Sequence, residues 1–210
     1  MKKFIMLIAF ILISHSAIAQ TSAKNSVFYF GLGLGSGYGG YKIEPEFVTL
    51  NENLEYFDNV LIPAAFKVST GPVINEYLHV GPMFSFIRQS GSIDEGNSVT
   101  VYGIQQMNNL GLLATVFPMK QDFGFFYQIG LSYSNYIIRV EADNGSDEVA
   151  AEANAHGAGI TIGNGYDVRL ASSFYFRINA DVVVHKYFRG DNNYPKYAGY
   201  GAIYLSTYFY

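Results

Sequence analysis

The segment FGFFYQIGLSYS, Phe123 to Ser134, alternates without interruption. Phe123, Phe125, Tyr127, Ile129, Leu131 and Tyr133 share one parity, whereas Gly124, Phe126, Gln128, Gly130, Ser132 and Ser134 share the other. A strict period of two predicts a β-strand with two chemically different faces. The small and polar face carries no Lys or Glu, which is unusual for a surface meeting water but natural for a narrow, packed lumen. The greasy face then points outward, as it does for a strand crossing a bilayer.

The pattern recurs along the chain. Eight strands are predicted, over 27–36, 60–70, 77–87, 101–117, 123–135, 156–168, 173–185 and 200–210. Phe174, Phe176, Ile178, Ala180, Val182 and Val184 oppose Tyr175, Arg177, Asn179, Asp181, Val183 and His185. Ala158, Ile160 and Ile162 oppose Gly157, Gly159, Thr161 and Gly163, and Leu78, Val80, Pro82, Phe84 and Phe86 oppose Tyr77, His79, Gly81, Met83 and Ser85. No amphipathic helical stripe competes with this alternation. The expected fold is therefore all-β, an eight-stranded antiparallel up-and-down transmembrane β-barrel, because closure alone satisfies every backbone group in lipid.

Composition agrees. Of 210 residues 17% are aromatic and only 14% charged, and cysteine is absent. Lys2 and Lys3, the apolar run Phe4 to Ile13 and Ala17-x-Ala19 predict a secretory signal peptide over 1–19, leaving a barrel domain over 20–210. Without Lys2 and Lys3, 11 basic residues face 17 acidic ones, a net charge of −6 that argues against a nucleic-acid partner.

Between the predicted strands the connections run to about 23, 6, 13, 5, 20, 4 and 14 residues, the long and short alternation of extracellular loops and periplasmic turns. Twelve of the 17 acids fall in the first three long connections: Glu44, Glu46, Glu52, Glu55, Asp58, Asp94, Glu95, Glu141, Asp143, Asp147, Glu148 and Glu152. Charge collects where lipid cannot reach.

With the leader, the eight alternating strands and the closing YGAIYLSTYFY, the chain resembles the small outer-membrane β-barrel family of Gram-negative bacteria, the OmpA/OmpX-like group of porin-type barrels. The resemblance covers 20–210 and rests on pattern. It implies residence in the cell outer membrane, contact with outer-membrane lipid, delivery by the barrel-assembly machinery, and a monomer. In that family a terminal strand of alternating aromatic residues is recognised during assembly, and Tyr204, Tyr208 and Tyr210 match it, with Ile203, Leu205 and Phe209 as a competing apolar frame. Pro63 and Pro82 fall inside predicted strands and imply a bulge or a shorter strand. Gln106 and Asn108 share the parity of Leu110 and Leu112, so the upper part of that strand is expected to rise above the membrane.

Candidate chemistry has to fit this frame. Gly35, Gly37 and Gly40 spell the G-x-G-x-x-G of a dinucleotide loop, but Pro45 follows and no helix does. Gly31, Gly33 and Gly35 are instead the lumen face of a strand whose lipid face is Phe28, Phe30, Leu32 and Leu34, with Arg177 or Tyr175 expected to fill the space they leave. Neither His79, His156 nor His185 has metal-ligand spacing, and no metal or cofactor is expected. DNGSDE, Asp143 to Glu148, lacks the spacing of a calcium loop. A Ser-His-acid set could be composed from Ser132, Ser134, His79, His185 and Asp181, yet such a list arises readily by chance in a chain of this composition, and no enzyme is expected.

The sharper expectation is structural. Lys67, His79, Gln128, Arg177, Asn179, Asp181 and His185 fall on the lumen face, and Asp181 is expected to neutralise Arg177 or Lys67 in a network that plugs the barrel. The function expected is structural or surface contact through the acidic loops. The alternatives are a lipid-modifying outer-membrane hydrolase acting on lipid A and a secreted soluble barrel that binds an apolar ligand.

Overall fold

The computed structural model describes residues 28–43, 46–49, 59–60, 62–94, 100–119, 124–143, 148–190 and 195–210. The predicted signal peptide, Phe123 and the acids Glu44, Glu52, Glu55, Asp58, Glu95 and Asp147 lie outside them. The strands are β1 (Phe28–Ile43), β2 (Glu46–Thr49), β3 (Asn59–Val60), β4 (Ala64–Asn75), β5 (Leu78–Asp94), β6 (Thr100–Val116), β7 (Phe125–Asp143), β8 (Glu148–Ala171), β9 (Phe174–Gly190) and β10 (Tyr197–Phe209). Eight of them, β1 and β4 to β10, pair antiparallel with their neighbours in sequence, and β10 returns to pair with β1. The eight-stranded ladder is closed, with the short β2 and β3 added to β1 and β5.

Register sets its shape. Stepping from Gly31 through Ser69, Met83, Gly111, Ser132, Gly159, His185 and Ala198 leads back to Tyr41, ten residues further along β1. A stagger of that size over eight strands corresponds to strands inclined by roughly 40°. Every residue on this path faces inward.

All of the barrel strands but β6, which matches its predicted length, are longer than the sequence spans. Loss of apolar outward residues marks where lipid ends, but it does not end the ladder, so β7 and β8 stay paired from Phe125 and Tyr166 up to Asp143 and Glu148. The expected rhythm of long and short connections is thus replaced by tall hairpins. Asp143 and Glu148, the two ends of DNGSDE, are cross-strand partners.

Along β3, β4 and β5, prolines mark where pairing is interrupted. Pro63 separates β3 from β4, and the register against β5 shifts by one residue between Val60, opposite Gly91, and Ala64, opposite Arg88. Further along the β4–β5 seam, regular pairing stops at Ser69 and Met83 and resumes at Val73 and His79. Pro72 and Pro82, which have no N–H to give, lie in that gap.

One frame left open by the sequence is resolved and one sequence expectation is corrected. Tyr204, Tyr208 and Tyr210 are buried in the lumen, and Ile203, Leu205 and Phe209 form the outward face of β10. Tyrosine suits either face: the Tyr208 hydroxyl lies 3.0 Å from Ser69 Oγ, and that of Tyr210 accepts from Arg177 Nη2 at 3.4 Å. Secondly, the space beside the β1 glycines is taken by β10: a Cβ on Gly31 would meet the ring of Tyr208, and one on Gly33 the hydroxyl of Ser206. Arg177 and Tyr175 do not fill it.

Candidate functional site

The lumen is filled in three layers. Nearest Phe28 and Tyr210, Arg177 of β9 is fully buried. Its Nε donates to Asp167 Oδ1 at 2.5 Å and its Nη2 to Asp167 Oδ2 at 2.7 Å, a bidentate pair across the β8–β9 ladder. The guanidinium also lies 3.6 Å from the ring centroid of Tyr208 and 4.0 Å from that of Phe126, which adds cation–π attraction. His79 is packed among Tyr29, Phe117 and Tyr210, with ring centroids 5.5, 4.8 and 5.2 Å away.

In the middle layer Lys67 Nζ donates to Asp181 Oδ2 at 2.5 Å and to Gln128 Oε1 at 2.7 Å. Gln128 Nε2 passes the chain to Thr115 Oγ1 at 3.0 Å, and Asn179 Nδ2 donates to Asp181 Oδ1 at 3.0 Å. Asp181 thus meets Lys67 and not Arg177, whose partner is Asp167. Asp167 was missed because it stands close to a hairpin turn, although its odd parity and its position opposite Arg177 were the available signal.

The third layer is neutral. Asn109 Nδ2 donates to the Tyr200 hydroxyl at 2.9 Å, Ser134 Oγ donates to Asn109 Oδ1 at 2.9 Å, and His185 Nδ1 hydrogen-bonds the Tyr187 hydroxyl at 2.7 Å. Tyr41, Tyr136 and Tyr187 close the top over Ile87 and Met107. Among the described residues the buried charges are Lys67, Arg177, Asp167 and Asp181, which cancel. Ser132 and Ser134 are held by Asn109, and neither donates to His79 or His185, so the paper Ser-His-acid set is not assembled. No three His, Asp or Glu side chains converge among the described residues.

The outer wall has the opposite chemistry. Leu131, Ile162, Val182, Leu112 and Ile203 are 66, 62, 58, 62 and 62% exposed, values that no core residue of a water-soluble fold would show together on one continuous surface. Aromatic residues fringe this band, with Phe28, Phe174 and Phe209 at the terminal end and Tyr38, Tyr133 and Tyr197 at the distal end. From Phe174 to Val184 the outward face of β9 is apolar; at about 3.3 Å per residue and roughly 40° of tilt, that distance is about 25 Å, the height of a bilayer-facing band. Above it the outward face turns polar at Arg88, Asn108, Asn135, His156 and Lys186. The chain is a transmembrane β-barrel.

Beyond the band the wall behaves as an ordinary solvated ladder. Gln106 Nε2 donates to Asn108 Oδ1 at 2.6 Å, Asn135 lies 3.0 Å from His156 Nδ1, and Tyr133 stacks on the same imidazole. Gln106 and Asn108 thus stand where the sequence placed them. Exposed Glu152 is held below its ordinary carboxyl pKa by the Asn154 amide and then by Arg139, 2.6 Å away. Because the folded value is depressed, this small contribution is present above the unfolded carboxyl pKa and fades as pH falls through the folded one.

No family model matches the chain, and no curated protein matches it. Similar solved structures include Ail, the attachment invasion locus protein of Yersinia pestis, in complex with sucrose octasulfate: 10% identical, TM-score 0.49, covering 87% of this chain and 97% of that one. Neisserial surface protein A is 12% identical with a TM-score of 0.46, covering 88% and 97%. A major outer membrane protein from Thermus thermophilus is also 12% identical with a TM-score of 0.46, covering 87% and 98%. At such values the barrel rests on this chain's own strand pairing and apolar wall.

Proposed function

We propose that this chain is an integral outer-membrane barrel of a Gram-negative bacterium, sealed through its interior, that serves envelope structure and surface contact. The observation that carries this reading is the lumen itself: ion pairs occupy two layers and hydrogen-bonded polar side chains and rings the third, leaving the interior to side chains as an eight-stranded barrel of this bore allows. Contact then falls to the distal end, where Glu46, Asp94, Glu141, Asp143, Glu148 and Glu152 stand on strand segments remote from Phe28 and Phe209. The acids suit partners that present positive charge. A monomer delivered by the barrel-assembly machinery, without a catalytic centre, belongs to the same reading; the burial of both lumen histidines among tyrosine and phenylalanine rings supports it.

Fractionation of expressing cells, followed by electrophoresis of boiled and unboiled membranes, tests this. Outer-membrane protein with a boiling-dependent shift, and no conductance step in a planar bilayer, is the expected outcome. Protein soluble without detergent would favour a secreted barrel for apolar ligands, and loss of a lipid A acyl chain on expression would favour a hydrolase.

A further inference from the structure

The lipid-facing wall is not smooth. Across β9, β10 and β1 two adjacent cross-strand rows read Val182, Gly201, Tyr38 and Val184, Gly199, Gly40. Three outward positions carry no side chain, and the wall sinks there into a groove of about 400 Å³ lined by these rows, by Tyr197 and by the intervening residues of the three strands. A Cβ at Gly201 would have only Asp181 O within reach, at 3.9 Å, so the space is open. Lys186 and Tyr197 are paired in the next row up, with the Lys186 ammonium 5.9 Å from the Tyr197 ring and equally far from that of Phe188. Toward the band centre the next row is Ala180, Ile203 and Ser36.

We propose that this groove is a specific site for one acyl chain of an anionic, phosphorylated membrane lipid, whose phosphate meets Lys186. The inference rests on the reading of the outer wall as bilayer-facing. Location selects the occupant: the groove opens in the apolar band at its distal edge, on the strand whose outward face turns from Val184 to Lys186 at that level. A chain lying in the groove touches its floor as well as its rims, which adds dispersion contact beyond that of bulk lipid. The ammonium at the rim supplies charge complementarity for a phosphate and has nothing to offer a zwitterionic head group that already carries its own cation.

Native mass spectrometry of the folded full-length protein in mixed micelles tests this, with phosphatidylglycerol and phosphatidylcholine of identical chains as probes. Retention of phosphatidylglycerol should exceed that of phosphatidylcholine about tenfold, and Gly201→Leu, which fills the groove, should remove the difference. Lys186→Gln, at an exposed side chain, should remove it without touching the wall. Ala114→Leu, outward on the opposite side of the barrel, should leave it intact. Equal retention of the two lipids, or a Gly201→Leu variant that binds like the parent, would overturn the site while leaving the barrel standing. A dimer abolished by Gly201→Leu would give the groove to a second copy and overturn it equally. Protein that folds without detergent would instead defeat the underlying bilayer reading.

Discussion

Lys67 and Asp181 sit within a wall that lipid surrounds, so each charge depends on the other. Removing one partner of such a pair leaves an uncompensated buried charge, at a cost of roughly 3–5 kcal/mol, whereas replacing both by apolar groups of similar volume is often neutral. Asp181→Ala should therefore lower the urea midpoint of the vesicle-embedded protein strongly, and Lys67→Met with Asp181→Leu should recover most of the loss. An unchanged midpoint in Asp181→Ala would show that the pair is not a structural element. The partner choice was only half legible. Parity put Lys67, Arg177 and Asp181 in one lumen, but Arg177 and Asp181 are four apart on β9, whereas Asp167 lies directly across the ladder from Arg177 and can meet it with both oxygens.

At the scale of strands, alternation told which face of β7, β8 and β9 meets lipid, because aliphatic residues outside against Gly, Ser and Thr inside β7 and β8, and against Arg177, Asn179 and Asp181 inside β9, admit no other sorting in a membrane. It did not tell where a hairpin ends. Asn135, Arg139 and Glu152 are as compatible with a solvated ladder as with a loop, and backbone pairing continues through them. Nor did it resolve β10, where tyrosines and aliphatics alternate and both sets are bulky. This division predicts opposite outcomes for two changes in one hairpin. Replacing 141–150 by an Asn-Gly turn should leave the boiling-dependent shift and the melting temperature essentially unchanged, because the apolar band and the ion pairs lie below. Leu131→Arg, within the band, should destabilise by about 2–4 kcal/mol. Equal effects of the two would mean that the band boundary is misplaced.

The whole molecule is an inverted one: charge and hydroxyls inside, aliphatic side chains outside, and polar ladders above the band. That inversion is the account's central claim, and the absence of cysteine allows single labels to be placed without background. Nitroxides introduced singly at residues 127–139 of β7, in protein folded into vesicles, would report it through oxygen and nickel-chelate accessibility. Labels at 127, 129, 131 and 133 should be accessible to oxygen and shielded from the chelate, labels at 128, 130, 132 and 134 shielded from both, and outward labels from 135 to 139 open to the chelate. Chelate access at 129 and 131 equal to that at 139 would contradict the transmembrane barrel.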